Sequence, residues 1–283
     1  MKQTIQSIFT LALSVAALST IAQELPVPSP YAEVEQVIGL TEVEVEYSRP
    51  GQKDRTVWGD LVPYGKMWRA GANKATSIEF SSDVVIGGQE VAEGKYALFI
   101  TPNEETVEVF INTKTDSWGT GDYNEEENVA SFEAEITDTE LEAESMLFYF
   151  DNVQSGSADL ILTWAGKSIT MPIEVDFIEA SIENIKVAIE EDGENFRVYN
   201  NAAGFYLDNG LDAAKALEYA QKSVKMEQKF WNVKTLSEAF AANEDYKNAI
   251  KIAKESLKLS EEAEYAPYIK MNKANIEKWS AMK

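Results

Sequence analysis

Two hydrophobic periodicities divide the chain. Between residues 30 and 176, apolar residues often recur at every second position, as they do in segments 43–47 and 132–136. Alternation of this kind is typical of strands with one buried and one solvated face. After residue 176 the apolar spacing becomes three to four residues, and glycine and proline become sparse, which indicates helices. The pattern therefore predicts a β-rich half followed by an α-helical half.

The first half carries a series of short apolar runs separated by turn signals such as Gly87-Gly88 and Pro102-Asn103. In addition to the two alternating segments, strands are predicted at 77–86, 95–101, 106–112, 146–151, 159–164 and 168–175. About eight strands without helical interludes favour an antiparallel β-sandwich or a barrel. We assign this mainly β domain to residues 23–176.

The second half, residues 177–283, is predicted to be all-α. The spacing predicts helices at 177–191, 195–208, 211–228, 231–242, 245–260 and 264–281. Residues 216–220 and Ser223 recur 33 residues later as residues 249–253 and Ser256. A repeat of this length with small residues at helix crossings resembles tetratricopeptide repeats. A plain helical bundle is the alternative.

The N-terminus has the pattern of an export signal. Lys2 supplies a positive start, residues 8–18 form an apolar run, and Thr20-Ile21-Ala22 fits a small-x-small cleavage site. The apolar run is shorter than the roughly 20 residues that span a bilayer, so a cleaved signal is favoured over a membrane anchor. We therefore predict a signal peptide at residues 1–22 and a mature protein in the periplasm or outside the cell, with no membrane span.

Composition narrows the possible chemistry. The chain has no cysteine and no histidine, which excludes disulfides, Ser-His-Asp and Cys-His nucleophiles, and histidine-based zinc sites. Its formal net charge is −23, and residues 23–176 hold 30 acidic but only 9 basic side chains. Such an acidic surface argues against nucleic acid as a partner, because binding to a polyanion depends on basic residues.

A basic and aromatic segment interrupts the acidic sandwich. Six of the nine basic residues lie between positions 49 and 74, and three aromatic side chains alternate with them. Arg49-Pro50-Gly51-Gln52 has the sequence of a type II turn, and Val62-Pro63-Tyr64-Gly65 that of a type I turn. Arginine forks bind anions, and aromatic faces bind cations or sugars. The candidate ligand-binding residues are Arg49, Arg55, Trp58, Tyr64, Trp68, Arg69 and Asn73.

Three other interpretations compete with a ligand site. The arginines would pair with surplus carboxylates, and the tryptophans would plug one end of the sandwich, if the segment were purely structural. A carboxylate hydrolase would use Asp54 or Asp60 as acid or base. The oxygen-rich loop 116–128 contains ligands of the kind that calcium prefers, but it lacks the spaced EF-hand pattern and is better explained as a solvated acidic loop.

Several motifs resemble the exported bacterial family catalogued as domain of unknown function 2911, over residues 29–176. They include Tyr47-Ser48-Arg49-Pro50-Gly51, Val57-Trp58-Gly59, Leu61-Val62-Pro63-Tyr64-Gly65-Lys66, Trp68-Arg69, Gly71-Ala72-Asn73 and Gly94-Lys95-Tyr96-Ala97-Leu98-Phe99. The resemblance supports export and the domain boundary but supplies no activity.

The functional expectation from the sequence is a non-catalytic envelope protein for binding or scaffolding. Its sandwich would hold a small anionic or glycan ligand near the arginines, without cofactor or metal. Its helical repeats would engage a protein partner.

Overall fold

The computed structural model describes residues 25–282, so the predicted signal peptide at 1–22 lies outside the described residues. Contacts divide the chain into two compact units. The described part of the first unit comprises residues 25–36, 42–153 and 158–173, and that of the second comprises residues 37–41, 154–157 and 174–282.

The β-rich part consists of antiparallel strands. Their bounds are β1 Tyr31–Ile38, β2 Thr41–Ser48, β3 Thr76–Phe80, β4 Val84–Ile86, β5 Gln89–Val91, β6 Gly94–Pro102, β7 Thr106–Asn112, β8 Asn128–Asp138, β9 Leu147–Asp151, β10 Ser157–Trp164 and β11 Lys167–Glu174. The predicted class, an antiparallel sandwich or a barrel, is confirmed, since the strands form a sandwich or nearly closed barrel.

The strands follow the order β1-β2-β3-β6-β7-β8-β11-β10-β9, and β4 and β5 form a hairpin that pairs with β11. The long strand β8 links the two layers of the sandwich. Its first part pairs with β7, for example Phe132 with Val109, and its last residues pair with β11, for example Ile136 with Ile169. One continuous hydrogen-bonded path therefore curves around the core.

The core contains the inward side chains that the alternation predicted. On β2, Val43, Val45 and Tyr47 are buried while the glutamates between them face outward. The largest fully buried side chains of the sandwich include Ile78, Phe80, Leu98, Phe99, Ile100, Ile111, Met146, Phe148, Leu160 and Trp164. Burial of this apolar surface is the main force that stabilises the sandwich.

The prediction of one strand was wrong. Segment 77–86 does not form a single strand, because the chain bends at residues 81–83 and passes from one layer to the other. Strand β3 pairs with β2 and β6, whereas β4 pairs with β5 and β11. The bend is held at Ser81, whose Oγ accepts a hydrogen bond from the Glu42 amide at 2.8 Å. The structure also adds β1 and β5, which were not predicted.

The second half is helical, as predicted. The helices are α1 Ile178–Glu191, α2 Phe196–Asp208, α3 Ala213–Met226, α4 Phe230–Ala242, α5 Tyr246–Glu262 and α6 Ala266–Ser280. Within residues 25–282, no helix has the length and apolar character needed to cross a membrane.

The sequence repeat corresponds to a repeated contact between helices. Ser223 on α3 and Ser256 on α5 each accept a hydrogen bond from an asparagine of the following helix. The donors are Asn232 on α4 at 3.0 Å and Asn272 on α6 at 2.8 Å, and all four side chains are fully buried. The two serines occupy equivalent positions of the repeat, whereas the two asparagines do not. Because buried polar groups are costly without partners, each Ser–Asn pair helps to fix the packing of two successive helices.

Candidate functional site

Residues 47–76, hereafter the basic segment, cross one end of the sandwich. The segment leaves β2 at Ser48 and enters β3 at Thr76. Midway, Trp68 pairs with Ile100 near the end of β6 through two backbone hydrogen bonds of 2.7 and 2.8 Å. The segment therefore pairs with β6 beyond the point where the pairing of β3 with β6 ends.

A compact turn follows Trp68 and fixes the backbone around Arg69. The Trp68 indole donates to the Gly71 carbonyl at 2.8 Å, and the Thr76 hydroxyl donates to the Ala70 carbonyl at 2.8 Å. Ala70 is fully buried with φ of 49°. A non-glycine residue in this region carries backbone strain, and such strain is concentrated at functional sites.

Three tryptophans pack together under the segment. Trp68 stacks on Trp164, the last residue of β10, with ring centroids 5.9 Å apart, and Trp58 meets Trp68 edge-on at 6.2 Å. The Trp58 indole donates to the Trp164 carbonyl at 3.0 Å. The cluster gives the end of the sandwich a rigid aromatic floor.

A pocket of about 320 Å³ lies over this floor. We call it the Arg69 pocket. It is lined by Pro28, Ser29, Pro50, Gly51, Lys53, Arg55, Leu61, Val62, Trp68, Arg69, Gly71, Ala72 and Trp164. Three of these residues are basic and none is acidic, although the surrounding domain is strongly acidic. The lining therefore favours a negatively charged group beside an apolar wall.

Arg69 is the least satisfied charge in this pocket. Its Nε is buried and has no hydrogen-bond partner among residues 25–282. Burial lowers the pKa of the Arg69 guanidinium from its ordinary value. An arginine remains charged even so, and an unpaired donor removed from water is energetically unfavourable. Arg69 also lines the pocket and forms no ion pair among the described residues, so an anion there would place a negative charge beside this guanidinium.

Arg55 stands at the pocket edge and is oriented by the backbone. Its Nε donates to the Gln52 carbonyl at 2.9 Å, and its Nη2 donates to the Gly51 carbonyl. A guanidinium has five N–H donors, so three of them are left for a ligand. Within the described chain, Arg55 forms no salt bridge that would neutralise it.

A second, shallower depression of about 550 Å³ borders the first at Arg55. We call it the Tyr64 pocket. It is lined by Gln52, Asp54, Arg55, Thr56, Val57, Trp58, Tyr64, Ala165 and Lys167. The Tyr64 ring lies against Gly59, where an added Cβ would come within 2.9 Å of the ring and the backbone has φ of 85°. Glycine is needed there, because it allows both the close contact and the left-handed conformation.

Two predicted site residues have structural partners and line neither pocket. The Arg49 Nε donates to the Met146 carbonyl at 2.9 Å. The Asn73 amide donates to the Ser29 carbonyl and to the Ser48 hydroxyl, both at 3.2 Å. These contacts tie the basic segment to its neighbours.

Neither of the two candidate carboxylates lines the Arg69 pocket. Asp54 is exposed and lines the Tyr64 pocket, while Asp60 is exposed and lines neither. An acid or base must come within hydrogen-bond reach of the proton that it transfers. The lining of the Arg69 pocket thus has binding groups but no carboxylate, although the Glu144 carboxylate accepts a hydrogen bond from the amide of Lys53, one of the lining residues, at 2.9 Å.

One group of carboxylates elsewhere has ligand atoms close enough to share a cation. Oxygens of Glu33, Glu44 and Glu46 lie within 4.8 Å of one another. Glu46, however, already accepts hydrogen bonds from Lys95 and Tyr31, and its bond with Lys95 is the main reason that its pKa is lowered. The group is therefore better explained as part of the sheet surface than as a metal site.

The match to known families falls on this part of the chain. A family model described as "Protein of unknown function (DUF2911)" matches residues 29–173. The chain belongs to this family. No curated protein matches the chain.

In this DUF2911 protein, the structure brings together five of the seven predicted site residues. Trp68 and Arg69 line the Arg69 pocket, Trp58 and Tyr64 line the Tyr64 pocket, and Arg55 lines both. Lys53 was not among the predicted site residues, although it lies in the basic segment. Trp164 and Lys167 were not predicted either, because nothing in the local sequence connects the end of β10 with the basic segment.

The two predicted turns of the DUF2911 motif were wrong in detail. Gly51 lacks the positive φ that a type II turn requires and instead forms an antiparallel bridge with Ser145. The second turn is shifted by one residue: the Lys66 amide donates to the Pro63 carbonyl, and Gly65 has φ of 66°. Pairing with residues 144–146 and with Pro102 overrides the local turn preference.

Proposed function

We propose that this DUF2911 protein is an exported, non-catalytic binding protein of the cell envelope, whose sandwich holds a small anionic ligand in the Arg69 pocket. The observation that carries the proposal is Arg69, which lines this pocket, forms no ion pair and has a buried Nε without a partner among the described residues. Lys53 and Arg55 add positive charge to the same pocket, and Trp68 and Trp164 provide an apolar wall for the rest of the ligand. Charge-assisted hydrogen bonds of arginine to a carboxylate or phosphate are among the strongest available.

Export is supported by the N-terminal sequence pattern described above. The 33-residue sequence repeat, whose Ser223 and Ser256 each accept a hydrogen bond from the following helix, supports a tetratricopeptide-like arrangement of the helix pairs. Engagement of a protein partner by these helices remains a prediction.

A thermal-shift experiment tests the anion site. The protein is heated in low salt with phosphate, with glucuronate and with the neutral sugar glucose. A ligand at a hundred times its Kd stabilises the native state by about 2.7 kcal/mol, so binding is readily detected. We expect phosphate or glucuronate to raise the Tm and glucose to leave it unchanged.

Two variants locate the effect. Arg69→Met removes the unpartnered guanidinium, and Arg197→Met removes the arginine of the helical unit with the same loss of charge. We expect the anion-dependent rise in Tm to disappear in the first variant and to persist in the second. An equal response in both variants would contradict a site at Arg69.

A further inference from the structure

The two pockets share a wall, which bears on the size of the ligand. Arg55 lines both of them, with its guanidinium held by the Gly51 and Gln52 carbonyls. Trp164 lines the first pocket and the next residue, Ala165, lines the second. The pockets therefore meet along Arg55 and the end of β10, and together they form a surface longer than a single small anion needs.

The chemistry changes along this surface. The Arg69 pocket contains only cations, apolar groups and small residues. The Tyr64 pocket has a mixed polar lining, with the Gln52 amide, the Asp54 carboxylate and the Thr56 hydroxyl. These groups can donate to and accept from hydroxyl groups. The first pocket thus suits a charged group and the second an uncharged polyhydroxy group.

Aromatic side chains line both pockets. Trp68 lies in the first, while Trp58 and Tyr64 lie in the second, where Tyr64 is 37% exposed. The negative face of an aromatic ring attracts the weakly positive C–H groups on the flat side of a pyranose ring. Lys167 also lines the second pocket, but its charge is matched by Asp138 at 2.6 Å.

We propose that the joined pockets bind an acidic oligosaccharide, with a uronate carboxylate on Arg69 and Arg55 and the next sugar ring against Tyr64 and Trp58. The inference rests on the proposed anion site and extends it to a ligand class. A long polyanion such as nucleic acid is disfavoured by the 30 acidic side chains of residues 23–176. An acidic peptide would use the cations but would leave the aromatic faces and the hydroxyl-binding groups without matching partners.

Titration calorimetry on the full chain in low salt tests the inference. The probes are glucuronate, an α-1,4-linked trigalacturonate and the neutral trisaccharide maltotriose. We expect trigalacturonate to bind at least about tenfold more tightly than glucuronate, a difference of about 1.4 kcal/mol, and maltotriose to bind far more weakly than trigalacturonate. Arg69→Met is expected to abolish binding of both acidic probes.

Two further variants test the second pocket. Tyr64→Ala is expected to remove the tenfold advantage of the trimer while leaving glucuronate affinity unchanged. Trp118→Ala is the matched control, because Trp118 is 73% exposed and lines neither pocket; it should keep the affinities of the parent. Circular dichroism confirms that each variant is folded.

The outcomes separate the two proposals. Equal affinities for monomer and trimer, both dependent on Arg69, would overturn the oligosaccharide inference and support the anion site alone. Equal binding of maltotriose and trigalacturonate would overturn the acidic character of the ligand. Absence of binding by phosphate and by every acidic sugar would overturn the anion site and the inference together.

Discussion

At the scale of single residues, Arg49 and Arg69 show how one side-chain type takes two roles. Both lie in the basic segment, and both were predicted to bind a ligand. Arg49 donates to the Met146 carbonyl, whereas the Nε of Arg69 is buried in a pocket lining without an acceptor in residues 25–282. Sequence alone identified these residues as unusual for an acidic domain. It could not tell them apart, because the acceptor of Arg49, the Met146 carbonyl, lies 97 positions along the chain.

The two arginines predict opposite effects on stability. Arg49→Met removes a charge-assisted bond and leaves the Met146 carbonyl without that donor, so we expect a loss of about 1–3 kcal/mol in the free energy of unfolding. Arg69→Met removes a poorly solvated charge that has no described acceptor and retains most of the apolar stem, so we expect no loss. Urea unfolding without added ligand measures both variants. A loss at Arg69 as large as that at Arg49 would indicate that Arg69 is a structural brace.

At the scale of secondary structure elements, hydrophobic periodicity predicted the helices and most of the strands. The alternation on β2 and the three-to-four spacing of the helices identified most elements. Burial of one face of a strand or helix requires apolar residues at regular intervals along the sequence. The periodicity failed at 77–86, where apolar residues on both sides of the polar Ser81-Ser82-Asp83 suggested one strand and the chain instead bends between layers at these three residues. Both β3 and β4 bury their apolar residues, so hydrophobicity alone did not reveal the change of layer.

The hairpin of β4 and β5 gives a prediction at this scale. Gly87 and Gly88 both have positive φ, so alanine is strained at either position by about 1 kcal/mol. An added Cβ at Gly87 would lie 2.2 Å from the Phe132 ring of β8, whereas at Gly88 it would meet nothing within 4 Å. We therefore expect Gly87→Ala to lower the free energy of unfolding by about 1–3 kcal/mol more than Gly88→Ala. Urea midpoints measure the difference, and equal losses would show that β4–β5 does not pack closely on β8.

At the scale of the whole molecule, charge is distributed unevenly. The formal net charge is −23, and residues 23–176 account for most of it. Mutual repulsion of this kind destabilises the compact state. The same acidic background leaves the Arg69 pocket as a local basic site, so salt has opposite effects on folding and on ligand binding.

Salt dependence tests this view. Raising NaCl from 10 to 100 mM shortens the screening length from about 30 Å to about 10 Å. We expect the Tm of the free protein to rise by about 2 °C or more and the affinity for glucuronate to fall. Arg69→Met serves as the control: it should show the same rise in Tm, because the rise comes from net charge and not from chloride in the pocket. A Tm that falls with added salt would contradict the prediction.

The sequence by itself determined the order of a β-rich half and a helical half, most element positions and the basic segment, because each depends on the character of neighbouring residues. The tertiary structure decided which side chains form a site. It placed Trp164 beneath Trp68, linked Trp58 to the Trp164 carbonyl across 106 positions and left Arg69 facing a pocket without carboxylates. Contacts between residues so far apart in the sequence arise only when the layers pack and bring the ends of different strands together.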